Sequence, residues 1–224
     1  MAYILNIETS TKNCSVALAK EGKPVEVIDY MEEGFSHAEK LHVFIDKLLK
    51  NNQISPSDLS AISVSKGPGS YTGLRIGVST AKGLAYGLEI PLIAISTLEH
   101  MAHQIQDQKG LIIPMIDARR MEVYSAVFDE NKKRIRDIKA EVINENSYSS
   151  YLASNKVFFV GDAVSKIKEV ITHPNAVFIE NSYPSAKEMT GLSHQKYLAK
   201  DFVDTAYFEP FYLKDFIVTR KKKS

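Results

Sequence analysis

Apolar residues recur with helical spacing over residues 36–50. Five of them lie at i, i+3, i+4, i+7 and i+8, which is the pattern of one helix face packed on a core. Ser36 and Glu39 have the spacing of a capping box at the start of this segment. We therefore predict a helix from Ser36 to Lys50, preceded by three strands. The apolar positions are Leu41, Phe44, Ile45, Leu48 and Leu49, and the strands are predicted at 3–8, 15–20 and 25–31.

The same kind of pattern continues to about residue 108. Short apolar runs predict strands, and longer amphipathic runs predict helices. Ser96 and Glu99 form a second possible capping box. The predicted elements are a strand at 61–65, a helix at 70–87, a strand at 91–95 and a helix at 96–108. The first half therefore has the order βββαβαβα.

The second half gives the same order again. Strands are predicted at 111–116, 122–128, 135–143, 156–161 and 176–180, and helices at 146–153, 163–171 and 185–200, the last opened by Ser185 with Glu188. No residue-level repeat is visible, so the duplication is one of pattern. Alternating strands and helices favour a partly parallel sheet covered by helices. We predict an α/β protein with two mixed sheets around a cleft, divided into domains 1–108 and 109–224.

Residues 67–77, with the sequence GPGSYTGLRIG, join a tight turn to a helix that is poor in side chains. Ser70 suits an N-cap. Gly73, Gly77, Ala81 and Ala85 recur every four residues and form one flat strip. Each interior glycine costs roughly 1 kcal/mol of helix propensity relative to alanine, so close packing must offset that cost. The packing could be within the fold or with a partner, and a phosphate cradle at the turn is the alternative.

Composition limits the function. Of 224 residues, 44% are hydrophobic, and 28 basic residues oppose 27 acidic ones. This balance gives no global attraction to nucleic acid or to an anionic membrane, so any RNA contact must be local. The basic run at 220–223 is interpreted as a solvated tail. Cys14 stands alone, which suits a reducing compartment, and no segment has the roughly 18 apolar residues of a membrane span. We expect a cytoplasmic protein without membrane contact.

Several polar residues are candidates for chemistry. His100 and His103 lie at i and i+3 on one helix face, where they could coordinate a metal ion together. The preferred interpretation is that both are ordinary helix-surface histidines. His37 and His42 fall on different faces of the first helix. A charged group at 117–122 contains Asp117, Arg119, Arg120 and Glu122. The two carboxylates could act in general acid–base catalysis, but an ion-paired turn is the preferred interpretation.

The duplicated βββαβα plan is similar to that of the actin, sugar kinase and Hsp70 superfamily (ASKHA). Four segments narrow the resemblance: 4–10, 67–77, 116–124 and 210–213. In these segments the chain resembles the TsaB family, the accessory subunits of the bacterial tRNA threonylcarbamoyladenosine synthase. The aromatic segment 207–213 is expected to pack back on the body of the protein.

The resemblance implies a partner subunit, and it implies that this partner carries the catalytic activity. A TsaB protein forms a heterodimer with the related catalytic subunit TsaD, which transfers threonylcarbamoyl to the adenosine beside the anticodon of tRNA, and an ATPase, TsaE, completes the assembly. TsaD carries a metal-binding histidine pair where this chain has Thr97 and Met101, and an acidic residue where it has Lys12. Gly161-Asp162-Ala163 corresponds to a remnant of an adenosine loop. We therefore assign no catalytic, cofactor-binding or metal-binding residue.

The first-domain helices are the expected interface with TsaD. A homodimer through the same surface is expected when the partner is absent, and tRNA is expected to be bound indirectly, through the complex. An ATP-dependent small-molecule kinase of the sugar-kinase type is the alternative function. The predicted interface residues are His37, Leu41, Gly73, Leu74, Gly77, Val78, Ala81 and Ala85.

Overall fold

The structure is a computed structural model and describes residues 1–31 and 37–214. Ser36, the predicted cap of the first helix, and the basic run at 220–223 lie outside the described residues. The strands are β1 (Tyr3–Glu8), β2 (Asn13–Lys20), β3 (Lys23–Met31), β4 (Leu59–Gly67), β5 (Leu92–Ser96), β6 (Leu111–Asp117), β7 (Glu122–Phe128), β8 (Arg134–Val142), β9 (Val157–Val160) and β10 (Ala176–Ile179). The helices are α1 (His37–Asn51), α2 (Tyr71–Gly87), α3 (Thr97–Ala102), α4 (Ser149–Leu152), α5 (Val164–Ile167) and α6 (Met189–Leu198), with a 3₁₀ turn at Pro56–Asp58.

The two halves form two mixed five-stranded sheets with equivalent topology. The first has the order β3-β2-β1-β4-β5 and the second the order β10-β9-β6-β7-β8. In each, the first strand pairs antiparallel with the second and parallel with the fourth. The predicted order βββαβαβα, repeated once, is confirmed, and the fold class is the predicted duplicated actin-like α/β fold.

Alternation along β1 divides the first lobe into two layers. Leu5 and Ile7 point to the face covered by α1 and α2, where they join one apolar cluster. Ile4 points to the opposite face, which is covered by α6 through Met189. Because successive side chains of a strand point to opposite faces, this one strand supplies both cores.

Helix α3 lies between the two sheets. Leu98, Met101 and Ala102 are fully buried and pack with residues of β6, β7 and β9. Helices α4 and α5 cover the other face of the second sheet, where Leu152 and Ile167 are buried. An apolar layer contributed by the first half therefore fills the space on the inner side of the second sheet.

The chain returns to the first lobe after β10. Helix α6 packs on strands of the first sheet, and Val203 forms a bridge with Leu92 of β5. The second half of the sequence thus contributes a layer to the first lobe. The division into domains 1–108 and 109–224 stays a prediction.

Several helix limits differ from the prediction. Helix α3 ends at Ala102 rather than near Gln108, and the Ser96 side chain makes no capping hydrogen bond. Gln104 instead binds the segment before α6, where its Nε2 donates to the Tyr183 carbonyl at 2.6 Å. Helix α6 begins at Met189, because Ser185 accepts a bond from Lys187 N in a turn before it. Helices α4 and α5 are also shorter than predicted.

Candidate functional site

The glycine-rich turn is built to bring α2 against the loop after β1. Gly67 has φ +107°, and Ser70 Oγ accepts a bond from Gly73 N at 3.3 Å, as predicted for an N-cap. Ser70 N in turn donates to the Ser10 carbonyl at 2.6 Å. The start of α2 therefore has donors already engaged by its own chain, which weakens the alternative of a phosphate cradle.

Gly73 and Gly77 face Thr9. A Cβ on Gly73 would lie 2.1 Å from the Thr9 carbonyl oxygen, and one on Gly77 would lie 2.2 Å from Thr9 Oγ1. Thr9 Oγ1 donates to the Gly73 carbonyl at 2.8 Å. The close packing predicted from the cost of these glycines is present, and it occurs within the monomer.

The eight predicted interface residues all lie in the interior of the chain. His37, for example, is 2% exposed, and its Nε2 donates to the Thr11 carbonyl at 2.7 Å. Of the two environments left open for the small-residue strip, the structure shows packing within the fold, because the strip faces the β1–β2 loop and the sheet. A larger side chain at Gly77 would therefore clash with Thr9. The buried set is His37, Leu41, Gly73, Leu74, Gly77, Val78, Ala81 and Ala85.

Helices α1 and α2 lie side by side and turn a second surface outward. On α2, Gly83 and Gly87 are exposed, and apart from the neighbouring backbone of the helix itself, no atom of the described residues lies within 4 Å of a Cβ built on either. Tyr86 beside them is 82% exposed, and Val43 on α1 is 57% exposed. We call this surface the outer face; its residues are His42, Val43, Ser79, Gly83, Tyr86 and Gly87.

The C-terminal segment packs along α2, as predicted. Phe211 N donates to the Lys66 carbonyl at 2.7 Å, and the rings of Tyr212 and Tyr71 lie 4.8 Å apart. Lys82 Nζ donates to the carbonyls of Ala206 and Phe208 at 3.0 and 2.9 Å. The flank of α2 that carries Lys82 is therefore covered by residues 206–212, and its outer face is left open.

Glu8 and His100 form a buried pair that sequence analysis missed. Both side chains are fully buried, and His100 Nε2 lies 2.6 Å from Glu8 Oε2. Ser10 N donates to Glu8 Oε1. Burial raises the pKa of Glu8, but the bonds from His100 and Ser10 outweigh this and hold it below its ordinary value. His100 was interpreted as a helix-surface residue, and that was wrong because α3 is enclosed between the sheets.

A signal for this pair existed in the sequence. Glu8 is the last residue of an apolar strand, so its carboxylate is expected to be buried. A buried carboxylate requires a charged or hydrogen-bonding partner. His103, the other candidate ligand, donates from Nδ1 to the Glu99 carbonyl at 3.0 Å. Among the residues that the structure describes, no three His, Cys, Asp or Glu side chains are grouped so that they could hold a metal.

The two positions at which the resemblance implies metal ligands in the catalytic relatives have other surroundings here. Thr97 and Met101 are both fully buried, and Met101 belongs to the apolar cluster against the second sheet. Neither residue is a good ligand for a hard or borderline divalent ion. Cys14 is also buried, and burial together with the charge of Glu8 raises its pKa to about 12. The thiol is therefore protonated at neutral pH and unreactive.

The charged group at the start of β7 is paired differently from the prediction. Asp117 pairs with Lys166 of α5, and Glu122 pairs with Lys214. Arg119 and Arg120 were expected to form the ion pairs of this turn. Both are exposed, and neither has an ion pair among the described residues. An ion-paired turn is present, but its cations come from distant segments.

Asp162 in the remnant of the adenosine loop joins the same group. Its Oδ1 accepts a bond from Asp117 N at 2.8 Å. Burial raises the pKa of Asp162 to about 6. A Cβ on the neighbouring Gly161 would lie 2.0 Å from the Met115 carbonyl oxygen. This loop is therefore packed against β6, and its aspartate is engaged with the chain itself.

Comparison with known proteins assigns the family. A family model described as "TsaD: tRNA N6-adenosine threonylcarbamoyltransferase" matches residues 34–222. A Haemophilus influenzae protein, "tRNA threonylcarbamoyladenosine biosynthesis protein TsaB", is 30% identical over 97% of this chain and 96% of its own length. The chain belongs to the TsaB family.

Two further comparisons agree with the family. The TsaB protein of Bacillus subtilis is 43% identical over 56% of this chain and 54% of its own length. The solved structure "YeaZ from Pseudomonas aeruginosa" superposes with a TM-score of 0.80 at 27% identity, covering 95% of this chain and all of that one. No helix in the described part of the chain combines the length and the apolar character that crossing a membrane requires.

Proposed function

We propose that this chain is a non-catalytic subunit in the biosynthesis of threonylcarbamoyladenosine in tRNA, and that it binds a TsaD-type catalytic subunit through the outer face. The observation that carries the proposal is the openness of Gly83 and Gly87 on α2. Gly73 and Gly77 are explained by Thr9. Gly83 and Gly87 have no such explanation within the described chain.

The energetics of α2 support a partner at this face. An interior glycine destabilises a helix by about 1 kcal/mol relative to alanine. Gly83 carries this cost although a methyl group would fit at its position. Exposed Tyr86 adds apolar area beside the two glycines. Flat backbone flanked by apolar side chains suits the close approach of helices from another subunit. A second copy of this chain is the expected occupant when TsaD is absent.

The non-catalytic role is supported by the chemistry of the cleft. Thr97, Met101 and Lys12 replace the residues that the resemblance assigns to metal and acid chemistry. The Glu8 carboxylate is bonded to His100 and Ser10 in a fully buried setting. We propose that these groups hold the first lobe and α3 together, and that the chemistry takes place on TsaD. TsaE and a cytoplasmic location belong to the same proposal.

The proposal is tested with Gly83→Arg, which places a long charged side chain on the outer face. We expect the variant to fold, because the site is open, and to lose co-elution with the TsaD of the same organism in gel filtration. Gly191→Arg is the matched control: Gly191 is an open, exposed glycine of α6, on the opposite side of the first sheet. It should leave association unchanged.

Activity of the mixed subunits gives a second readout. Gly83→Arg should abolish the restoration of tRNA modification when the chain is added to TsaD and TsaE, whereas Gly191→Arg should restore it fully. Intact co-elution of a folded Gly83→Arg chain would overturn the outer face as the interface. Equal loss with both variants would overturn it as well.

A further inference from the structure

Three exposed basic residues lie on loops of the two lobes that approach each other at Asp162. Lys12 comes from the β1–β2 loop of the first lobe, and Arg119 and Arg120 come from the β6–β7 turn of the second. Burial raises the pKa of Asp162, the charge of nearby Lys12 opposes part of that rise, and Asp162 Oδ1 accepts a bond from Asp117 N. We call Lys12, Arg119 and Arg120 the basic rim.

The acidic groups beside the basic rim are already engaged. Asp117 pairs with Lys166, and Glu122 pairs with Lys214. Asp162, the third acid, is held by Asp117 N. The three rim cations are exposed and have no ion pair among the described residues. The rim is therefore a local positive surface on a chain whose total charge is close to neutral.

The β6–β7 turn is held in a strained conformation that presents both arginines. Arg119 and Arg120 have φ values of +73° and +53°, which residues other than glycine rarely adopt. Such conformations are energetically unfavourable and persist only where the surroundings enforce them. Here Lys166 Nζ donates to the carbonyls of Arg120 and Glu122, both at 2.8 Å, and Arg119 N donates to Asp117 Oδ1 at 2.7 Å.

We propose that the basic rim binds phosphates of the tRNA backbone, so that this chain contacts the RNA directly. The inference deepens the proposed function and rests on it, since tRNA is the substrate of that assembly. Guanidinium groups match phosphate oxygens through paired donors, and exposed cations without acidic partners lose no existing ion pair on binding. The contact is with the backbone, because nothing in the rim is arranged to recognise a base.

The test uses the triple variant Lys12→Gln, Arg119→Gln, Arg120→Gln in the complete chain, bound to TsaD. The affinity for labelled full-length tRNA is measured by anisotropy at about 50 to 200 mM salt, because binding through phosphate contacts depends strongly on salt in this range. We expect the affinity to fall roughly tenfold or more at low salt. The slope of log K against log salt should decrease by about 2 to 3, since each lost phosphate contact removes about 0.7 to 0.9.

The matched control removes three positive charges elsewhere. Lys23, Lys133 and Lys200 are exposed and have no ion pair among the described residues. Their triple Gln variant should keep the affinity and the slope. Equal losses in both variants would show a net-charge effect and overturn the proposal, as would unchanged tRNA binding by the rim variant. A rim variant that lost binding to polyglutamate but kept its tRNA affinity would assign the surface to an acidic protein and also contradict the proposal.

Two further measurements separate this inference from the proposed function. If TsaD does not associate with the wild-type chain, the proposed function fails, and the same titrations are made on the isolated chain. If the triple variant unfolds, Lys12→Gln alone removes one cation without touching the strained turn, and its salt slope should fall by about 0.7 to 0.9. An unchanged slope for a folded Lys12→Gln chain would count against the rim.

Discussion

At the scale of single residues, the glycines of α2 serve two different purposes on one helix. Gly77 has no space for a methyl group, because a Cβ would lie 2.2 Å from Thr9 Oγ1. Gly83, six residues later, has open space around the same position. The sequence analysis predicted a cost for interior glycines of this helix, but it did not assign a role to each one. Spacing defines the faces of a helix without saying which face its own sheet takes.

Alanine substitution should therefore change stability in opposite directions at the two sites. Gly77→Ala gains about 1 kcal/mol of helix propensity but loses more by crowding Thr9, for a net loss of roughly 1–2 kcal/mol. Gly83→Ala, the same change in an open site, should stabilise the fold by up to about 1 kcal/mol. Urea unfolding at constant pH measures both.

A double-mutant cycle identifies the cause of the loss at Gly77. Thr9→Ala alone should cost about 1 kcal/mol, because the hydrogen bond to the Gly73 carbonyl disappears. Combined with Gly77→Ala it should cost less than the sum of the two single changes, since the clashing hydroxyl is gone. Strict additivity, or a Gly77→Ala chain more stable than wild type, would contradict the packing described here.

At the scale of elements, α3 shows what the sequence pattern does not contain. Its strand-to-helix start was predicted, but its end and its environment were not. The partner of His100 is 92 residues away in the chain, at the end of β1. Gln104 is held by the segment before α6, which also lies far along the chain. Contacts of this kind depend on the assembled lobes, so they cannot be inferred from local periodicity.

The Glu8–His100 pair should give the protein an acid-sensitive contribution to stability. Glu8→Gln keeps the shape of the side chain but weakens the two bonds, and we expect it to cost about 1–3 kcal/mol at neutral pH. Because the pKa of Glu8 is lower in the folded chain than its ordinary value of 4.5, the unfolded chain takes up the proton first as the pH falls. The wild-type advantage should therefore be full above about pH 4.5 and shrink below it.

Urea unfolding of the wild type and of Glu8→Gln at pH 3.5 to 7 measures this difference. Glu145→Gln is the control, because Glu145 is exposed and its side chain has no hydrogen bond or ion pair among the described residues. Its effect should stay near zero throughout the range. A Glu8→Gln deficit that did not change between pH 7 and pH 3.5 would show that the carboxylate's charge does not contribute.

At the scale of the whole molecule, the duplicated topology was predictable because both halves repeat one order of strands and helices. The return of α6 and residues 203–212 to the first lobe was only partly predictable. The aromatic segment was expected to pack back on the body, but nothing in the spacing indicated which sheet would receive Met189 and Val203. Each lobe contains a layer from the other half of the chain. For this reason the spacing of residues in the sequence does not predict which side chains lie between the lobes.

The packing around α3 favours the proposed subunit over the kinase alternative. A kinase of this fold needs an accessible nucleotide site between its lobes. Here Met101 and its neighbours fill the inner side of the second sheet. The loop at Gly161 lies so close that a Cβ there would be 2.7 Å from Met101 Cε. Calorimetric titration of the isolated chain with ATP and Mg²⁺ should therefore show no binding at micromolar concentrations. Micromolar binding that Asp162→Asn abolished would instead favour the kinase, because it would place the nucleotide on the adenosine-loop remnant of this chain.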